Sequence, residues 1–402
     1  MPGFEWFGDE ERKEVQDVLE TGVLFRYGFD GMRNGHWKAR TFEEELTKRL
    51  GGGYAHLCSS GTAALSIALA ACGVGAGDEV IVPPFTFVAS VEALLTAGII
   101  PVFAEIDETL CLDPLSVRAA ITPQTRAVIP VHMCGAMARI DALKTICDEN
   151  RLVLIEDACQ SLGASCQGKF AGTFGHAGCF SFDPVKTVTC GEGGAVVTSD
   201  QQIYFNAQAY ADHGHDHVGT DRGLEGHPFL GMNYRISELN AAVGVAQLRK
   251  LDVILARQRA HKKILKQALG RYPHVSFREI PDEAGDSATF LSFFLENADQ
   301  ARQAARDLGA AGMDGCFYWY DNNWHYLRKW DHFKQLKSLS NLSVHQLKAF
   351  PDYSKVRLSQ SDHIMRRTLS LQIKLSWTPE MLQQRVEIIK KVMNGVHWRQ
   401  FE

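Results

Sequence analysis

The chain has 402 residues, 45% of them hydrophobic and 22% charged, with a net charge of -5. That length allows two or three compact units around a substantial core, and the charge balance gives no footing for nucleic acid or an anionic membrane surface. Residues 1–20 alternate acidic and basic side chains, and no later stretch is apolar and long enough to span a bilayer, so the pattern argues against a secretory signal and membrane insertion and for a cytoplasmic protein. The ten cysteines are scattered from Cys58 to Cys316 without a CxxC pair and read as reduced, mostly buried thiols.

From about Tyr54 short β-branched runs alternate with helical patterns, the rhythm of an α/β domain whose mostly parallel sheet is covered by helices. Strands are predicted at Glu79–Val82, Pro101–Glu105, Ala127–Val131, Leu152–Asp157, Gly178–Phe182 and Gly194–Thr198. Helices are predicted at Thr62–Cys72, Thr86–Ala97 and Ile140–Asn150, where apolar residues recur at spacings of three and four. From Ile236 to Leu269 the pattern is continuously helical, as suits a connector leaving the large domain. Strands at Phe290–Phe294 and Gly315–Trp319 and a closing amphipathic helix at Glu380–Met393 then predict a smaller α+β domain. The expected division is residues 1–250, an N-terminal arm with the large domain, and residues 251–402, the connector helix with the small one.

Three motifs carry chemistry. Ser59-Ser60-Gly61-Thr62 is a small turn entering a good helix; free amides and two hydroxyls there make a phosphate cradle, although Ser is also an ordinary N-cap. Leu152 to Gln160 is an apolar strand that delivers Asp157 and Gln160 at its carboxyl end, where open α/β sheets bind ligands. A carboxylate there suits a pyridinium nitrogen; the plainer alternative is that Asp157 caps the next turn. Cys179-Phe180-Ser181-Phe182-Asp183-Pro184-Val185-Lys186, followed by Gly191-Glu192-Gly193-Gly194, places a lysine where a solvated surface charge is a poor explanation. A lysine buried beside a cationic ring is the kind that gives up its proton for imine chemistry.

The order of these motifs, with Pro-Phe-Thr-Phe at Pro84–Phe87 and Gly231-Met232-Asn233-Tyr234-Arg235 downstream, resembles the fold-type I enzymes that use pyridoxal 5'-phosphate (PLP), and among them the sugar aminotransferases. The resemblance runs from about Phe4 to Val392. It implies that Lys186 carries PLP as a Schiff base, Asp157 pairs with the ring nitrogen and Gln160 touches the ring hydroxyl. Ser60, Gly61, Thr62 and Ser181 would hold the phosphate with Asn233 of a second subunit, and Phe87 would stack on the ring. It further implies a homodimer with shared sites and a histidine in place of Lys186 in the related dehydratases.

Outside the cofactor motifs, Phe25-Arg26-Tyr27, Arg33-Asn34, Asp212–Asp216 and Cys316–Tyr326 resemble the members that use glutamate to aminate the C8 aldehyde of an oxidised Kdo sugar for lipopolysaccharide. That makes Arg26, Arg33, His215, Tyr318, Tyr320 and His325 the expected acceptor contacts. A nucleotide-linked keto-sugar is the alternative acceptor. A non-catalytic PLP-binding regulator is a second alternative, although no added basic domain is visible. His213-Gly214-His215-Asp216-His217 has the alternation of a metal site, yet transamination needs no metal and none is expected. The aromatic run Phe317–Tyr320 with Trp324 is read as part core, part sugar-facing surface.

Overall fold

The computed structural model describes residues 3–219, 221–347 and 350–395. Helices α1 (Asp9–Thr21) and α2 (Lys38–Leu50) precede the first strand, β1 (Tyr54–Cys58). Helix and strand then alternate through α3 (Gly61–Ala71), β2 (Glu79–Val82), α4 (Ala89–Thr96), β3 (Ile100–Phe103), α5 (Pro114–Ala120), β4 (Thr125–Val128), α6 (Ile140–Asn150) and β5 (Val153–Asp157). A short ribbon, β6 (Ser165–Cys166) with β7 (Lys169–Phe170), leads to β8 (Ala177–Ser181), β9 (Gly194–Thr198) and α7 (Gln201–Ala211).

Seven of these strands form one sheet in the order β1-β9-β8-β5-β4-β2-β3. Pairings from β3 across to β8 are parallel, while β9 runs antiparallel between β8 and β1. A mostly parallel sheet needs cover on both faces, and β5, β8 and β9 are accordingly buried at every position. Phe42, Leu57 and Phe180 pack in one core cluster; Ile67, Val80 and Ile155 pack in the other.

The predicted helix over Ile236–Leu269 is divided into α8 (Glu238–Arg249) and α9 (Leu251–Leu269). Lys250 stands at the break, its ammonium held by the Trp6 carbonyl at 2.9 Å and by the fully buried Glu11 at 2.7 Å. The apolar period continues through this corner, so the tie to the N-terminal arm is invisible in the periodicity.

The small domain is a four-stranded antiparallel sheet, β10 (Ser276–Phe277), β11 (Phe290–Phe294), β12 (Cys316–Tyr318) and β13 (Thr368–Gln372), in the order β10-β11-β13-β12. It is covered by α10 (Ala298–Ala310) and α13 (Pro379–Gly395). Between β12 and β13 lie α11 (Asp331–Lys334) and α12 (Ser359–Arg367). Trp330, Phe333 and Tyr353 from this connection join the core of α3 and α4, so the C-terminal part of the chain also roofs the large sheet. Among the described residues no helix is long and apolar enough to cross a membrane.

Candidate active site

The carboxyl ends of β1, β2, β5 and β8 converge on one cavity of about 590 Å³, the position that open α/β sheets reserve for ligands. At the end of β1, Ser60 caps α3: its hydroxyl accepts from the Ala63 amide at 3.0 Å and its carbonyl from Ala64 at 3.0 Å. The amides of Gly61 and Thr62 have no partner within the helix, and the positive end of the helix dipole adds to their pull on an anion. A Cβ on Gly61 would lie 2.7 Å from the Cβ of Ser181, so only glycine lets the β8 hydroxyl come this close to the helix start.

The lysine follows β8 in a tight turn closed by its amide, which donates to the Asp183 carbonyl at 3.1 Å. The residue is 9% exposed, with Nζ 3.4 Å from Oδ2 of Asp183. Across the cavity Asp157 ends β5. The Ser90 hydroxyl donates to its Oδ2 at 2.7 Å and the Cys159 amide to its Oδ1 at 3.1 Å. Gln160 accepts the Cys134 amide through Oε1 at 3.3 Å, which leaves its side-chain NH2 to donate.

The rim of the cavity is made by two distant segments. Thr86 and Val88 are predicted to open a helix, but α4 begins at Ala89, and their amides donate to the carbonyls of His325 and Trp324 at 3.0 and 2.9 Å. This pairing brings the Phe87 ring to 5.4 Å from that of His325 and 6.0 Å from that of Trp324, centroid to centroid. Burial, and after it the Lys186 ammonium, pushes the His325 imidazole down to about 4.

Nine of the expected residues therefore share one cavity: Ser60, Gly61, Thr62, Phe87, Asp157, Gln160, Ser181, Lys186 and His325. Arg26, Arg33, His215, Asn233, Tyr318 and Tyr320 do not line it. Arg26 is buried, donating to the Leu57 carbonyl and to Glu43, both at 2.7 Å. Arg33 is 1% exposed, stacked on Trp37 and donating to the carbonyls of Gly28 and Phe25. Tyr318 donates to the Arg366 carbonyl, and Tyr320 accepts from the Arg366 side chain. His215 pairs with Glu225 at 2.8 Å. Asn233 is exposed opposite Asp212, a buried acid that also holds Arg222 and Arg235. Among the described residues no group of His, Cys, Asp and Glu is arranged to hold a metal. Thr86, which belongs to the Pro84–Phe87 motif, lines the cavity together with Ser90 and Gln372, for which the sequence carries no signal.

A helix start open to an anion, an amine and a carboxylate facing one space are the groups that a phosphorylated pyridine aldehyde needs. Residues 7–390 match the DegT/DnrJ/EryC1/StrS aminotransferase family, and the chain belongs to this family of PLP-dependent sugar aminotransferases. It is 37% identical over 300 residues to the GDP-perosamine synthase of Vibrio cholerae, a match covering 74% of this chain and 77% of that one. It is 41% identical over 250 residues to the L-glutamine:2-deoxy-scyllo-inosose aminotransferase of Streptomyces kanamyceticus, covering 60% of this chain and 58% of that protein. The chain thus spans about three fifths of the length of the inosose aminotransferases it matches. The crystal structure of an aminotransferase from Psychrobacter cryohalolentis superposes with a TM-score of 0.83 at 26% identity, over 97% of this chain and 98% of that one.

Proposed function

We propose that the chain takes the amino group of glutamate and transfers it to the C8 aldehyde of an oxidised Kdo sugar, giving 8-amino-3,8-dideoxy-octulosonate for lipopolysaccharide. What carries the transaminase reading is the convergence of Lys186, Asp157, Gln160 and the α3 start on one cavity. Bound PLP supplies the electron sink. Lys186 would hold its carbonyl carbon until the donor amine displaces it, and the freed Nζ would then carry the proton between the amine-bearing carbon of the substrate and the cofactor. Asp157 would meet the ring nitrogen, Gln160 would donate to the ring hydroxyl, and Gly61, Thr62 and Ser181 would hold the phosphate. Phe87 lines the cavity with Trp324 stacked on its ring, and that aromatic surface would limit water there.

The octulosonate reading draws on the stretches outside the cofactor motifs. One of them, Cys316–Tyr326, supplies Phe317, Trp319 and His325 to the cavity wall. A nucleotide-linked keto-sugar is the second reading, supported by the likeness to a GDP-perosamine synthase. We also place the protein in the cytoplasm, in keeping with ten free cysteines. The same reading makes it a homodimer in which Asn233 reaches the partner's phosphate. Asn233 lies outside its own chain's cavity, beside a segment whose Val218, Leu224 and Leu230 are 69, 84 and 94% exposed.

Stopped-flow absorbance of the bound cofactor tests the whole reading: conversion to the amine form with a panel of amino acids, glutamate and glutamine among them, then recovery with each sugar. Fastest recovery with the octulosonate aldehyde is expected. Fastest recovery with a nucleotide-linked keto-hexose replaces the acceptor assignment and leaves the aminotransferase standing.

A further inference from the structure

Aspartate torsion about Cβ–Cγ is broad and close to two-fold, so a carboxylate that must meet a ring nitrogen in one orientation needs something to hold it. Here each oxygen has one donor, the Cys159 amide on Oδ1 and the Ser90 hydroxyl on Oδ2. Ser90 has a single hydroxyl proton, and Asp157 takes it. The Thr86 hydroxyl lies 2.7 Å from Ser90 Oγ and 3.3 Å from the Phe87 carbonyl, and its one proton goes to the nearer acceptor, Ser90. Thr86 is fully buried and Ser90 is 1% exposed, so the chain of bonds is shielded from water. Its far end is fixed as well, because the Thr86 amide is pinned to the His325 carbonyl at 3.0 Å.

From this geometry we infer that Ser90, backed by Thr86, is a positioning residue that sets the orientation in which the Asp157 carboxylate meets the pyridine nitrogen of the cofactor. It touches the acid and acts through it. The inference rests on the placement of Asp157 opposite the ring nitrogen proposed above. It separates two parts of the site that look alike in sequence: the Cys159 amide is backbone and present whatever the side chain, whereas the Ser90 hydroxyl is a choice made by the sequence.

The test measures the apoenzyme's affinity for PLP and for its 1-deaza analogue, in which C–H replaces the ring nitrogen. The ratio of the two reads the contact at that nitrogen, and general loosening of the pocket weakens both ligands and leaves the ratio alone. Ser90→Ala is expected to cut the preference for PLP about tenfold, Ser90→Thr to restore most of it, and Thr86→Val to reduce it by less in the same direction. A wild-type ratio in folded Ser90→Ala, confirmed by thermal melting of the apoenzyme, overturns the inference. If Ser90→Ala does not fold, Thr86→Val decides, and an unchanged ratio there overturns it. Asp157→Asn separates the two layers: a wild-type ratio in that variant removes the placement of Asp157 and Ser90's role with it. Loss of the ratio there, with the ratio intact in Ser90→Ala, removes Ser90 alone.

Discussion

Nδ1 of His325 lies 3.0 Å from Oδ1 of Asn322, an oxygen that also accepts the Trp324 amide at 2.9 Å. The amide donor identifies that atom as an acceptor, so Nδ1 carries the proton and Nε2 is left as a bare acceptor. A neutral imidazole of fixed tautomer on the cavity wall suits a ligand hydroxyl.

The same burial gives a pH dependence. His325 titrates at about 4 in the folded chain and near 6.5 when unfolded, so the unfolded state binds its proton first as pH falls. Above about 6.5 its titration has no effect on stability. Between 6.5 and 4 it subtracts up to about 3 kcal/mol from the apoenzyme. Urea unfolding of wild type and His325→Gln at several pH values should show a shallower acid slope in the variant. Equal slopes would mean that His325 is not held neutral.

Gly61→Ala should lower PLP affinity by about tenfold or more, because the new methyl must displace the Ser181 side chain or shift the start of α3. Gly309→Ala, in α10 with nothing within 4 Å of its added Cβ, is the control and should raise stability by up to about 1 kcal/mol. Titrating cofactor into both apoenzymes checks the contrast, and undiminished binding by Gly61→Ala would take the phosphate away from the α3 start.

The alternation of the large domain was legible because buried parallel strands are apolar runs, and polar residues such as Asp157 and Ser181 interrupt them at the site; β1 was not among the predicted strands, and those predicted to end at Glu105 and Val131 end at Phe103 and Val128. His325 could be named from the sequence, but not the way it reaches the cavity. Its position comes from main-chain pairing between residues some 240 apart, which involves Thr86 and Val88 just ahead of α4. Ser90 looked like one more small residue of an amphipathic helix. The arginines show a further limit, since nothing in Phe25-Arg26-Tyr27 tells that Glu43 and the Leu57 carbonyl take up the Arg26 guanidinium.

That arrangement sets up a prediction for Arg26→Ala. Removing the guanidinium leaves Glu43 with the Leu57 amide as its remaining partner and strips a donor from the Leu57 carbonyl, so a loss of about 3 kcal/mol in stability is expected. Chemical denaturation measures it. A variant of wild-type stability that accepts glutamate normally and fails only in recovery with the sugar would instead make Arg26 an acceptor ligand.

Lys186→Ala should abolish the lysine-dependent absorbance of bound PLP and any borohydride-fixed adduct, since Lys186 is the only amine lining the cavity among the described residues. Mass spectrometry of the reduced protein gives the answer directly. A labelled peptide from another lysine would transfer the assignment to that residue.

The proposed sharing of sites between subunits can be tested by complementation. Asn233 is exposed, but its backbone is fixed: it pairs with Asp212, whose carboxylate holds the Arg222 and Arg235 side chains, so the residue is presented on a rigid support. Suppose that each cavity combines its own Lys186 with the partner's Asn233. Chains carrying Lys186→Ala and chains carrying Asn233→Ala would each give weak or inactive homodimers. A heterodimer would have one cavity with both groups intact and one with neither. Equal mixing puts half of the molecules in that form, so after subunit exchange activity should recover to about a quarter of wild type. If both groups serve the cavity of their own chain, every cavity in the mixture lacks one of them and nothing is recovered. Failure to recover, with exchange demonstrated by tagged subunits, would return Asn233 to its own chain and remove the main support for a shared site.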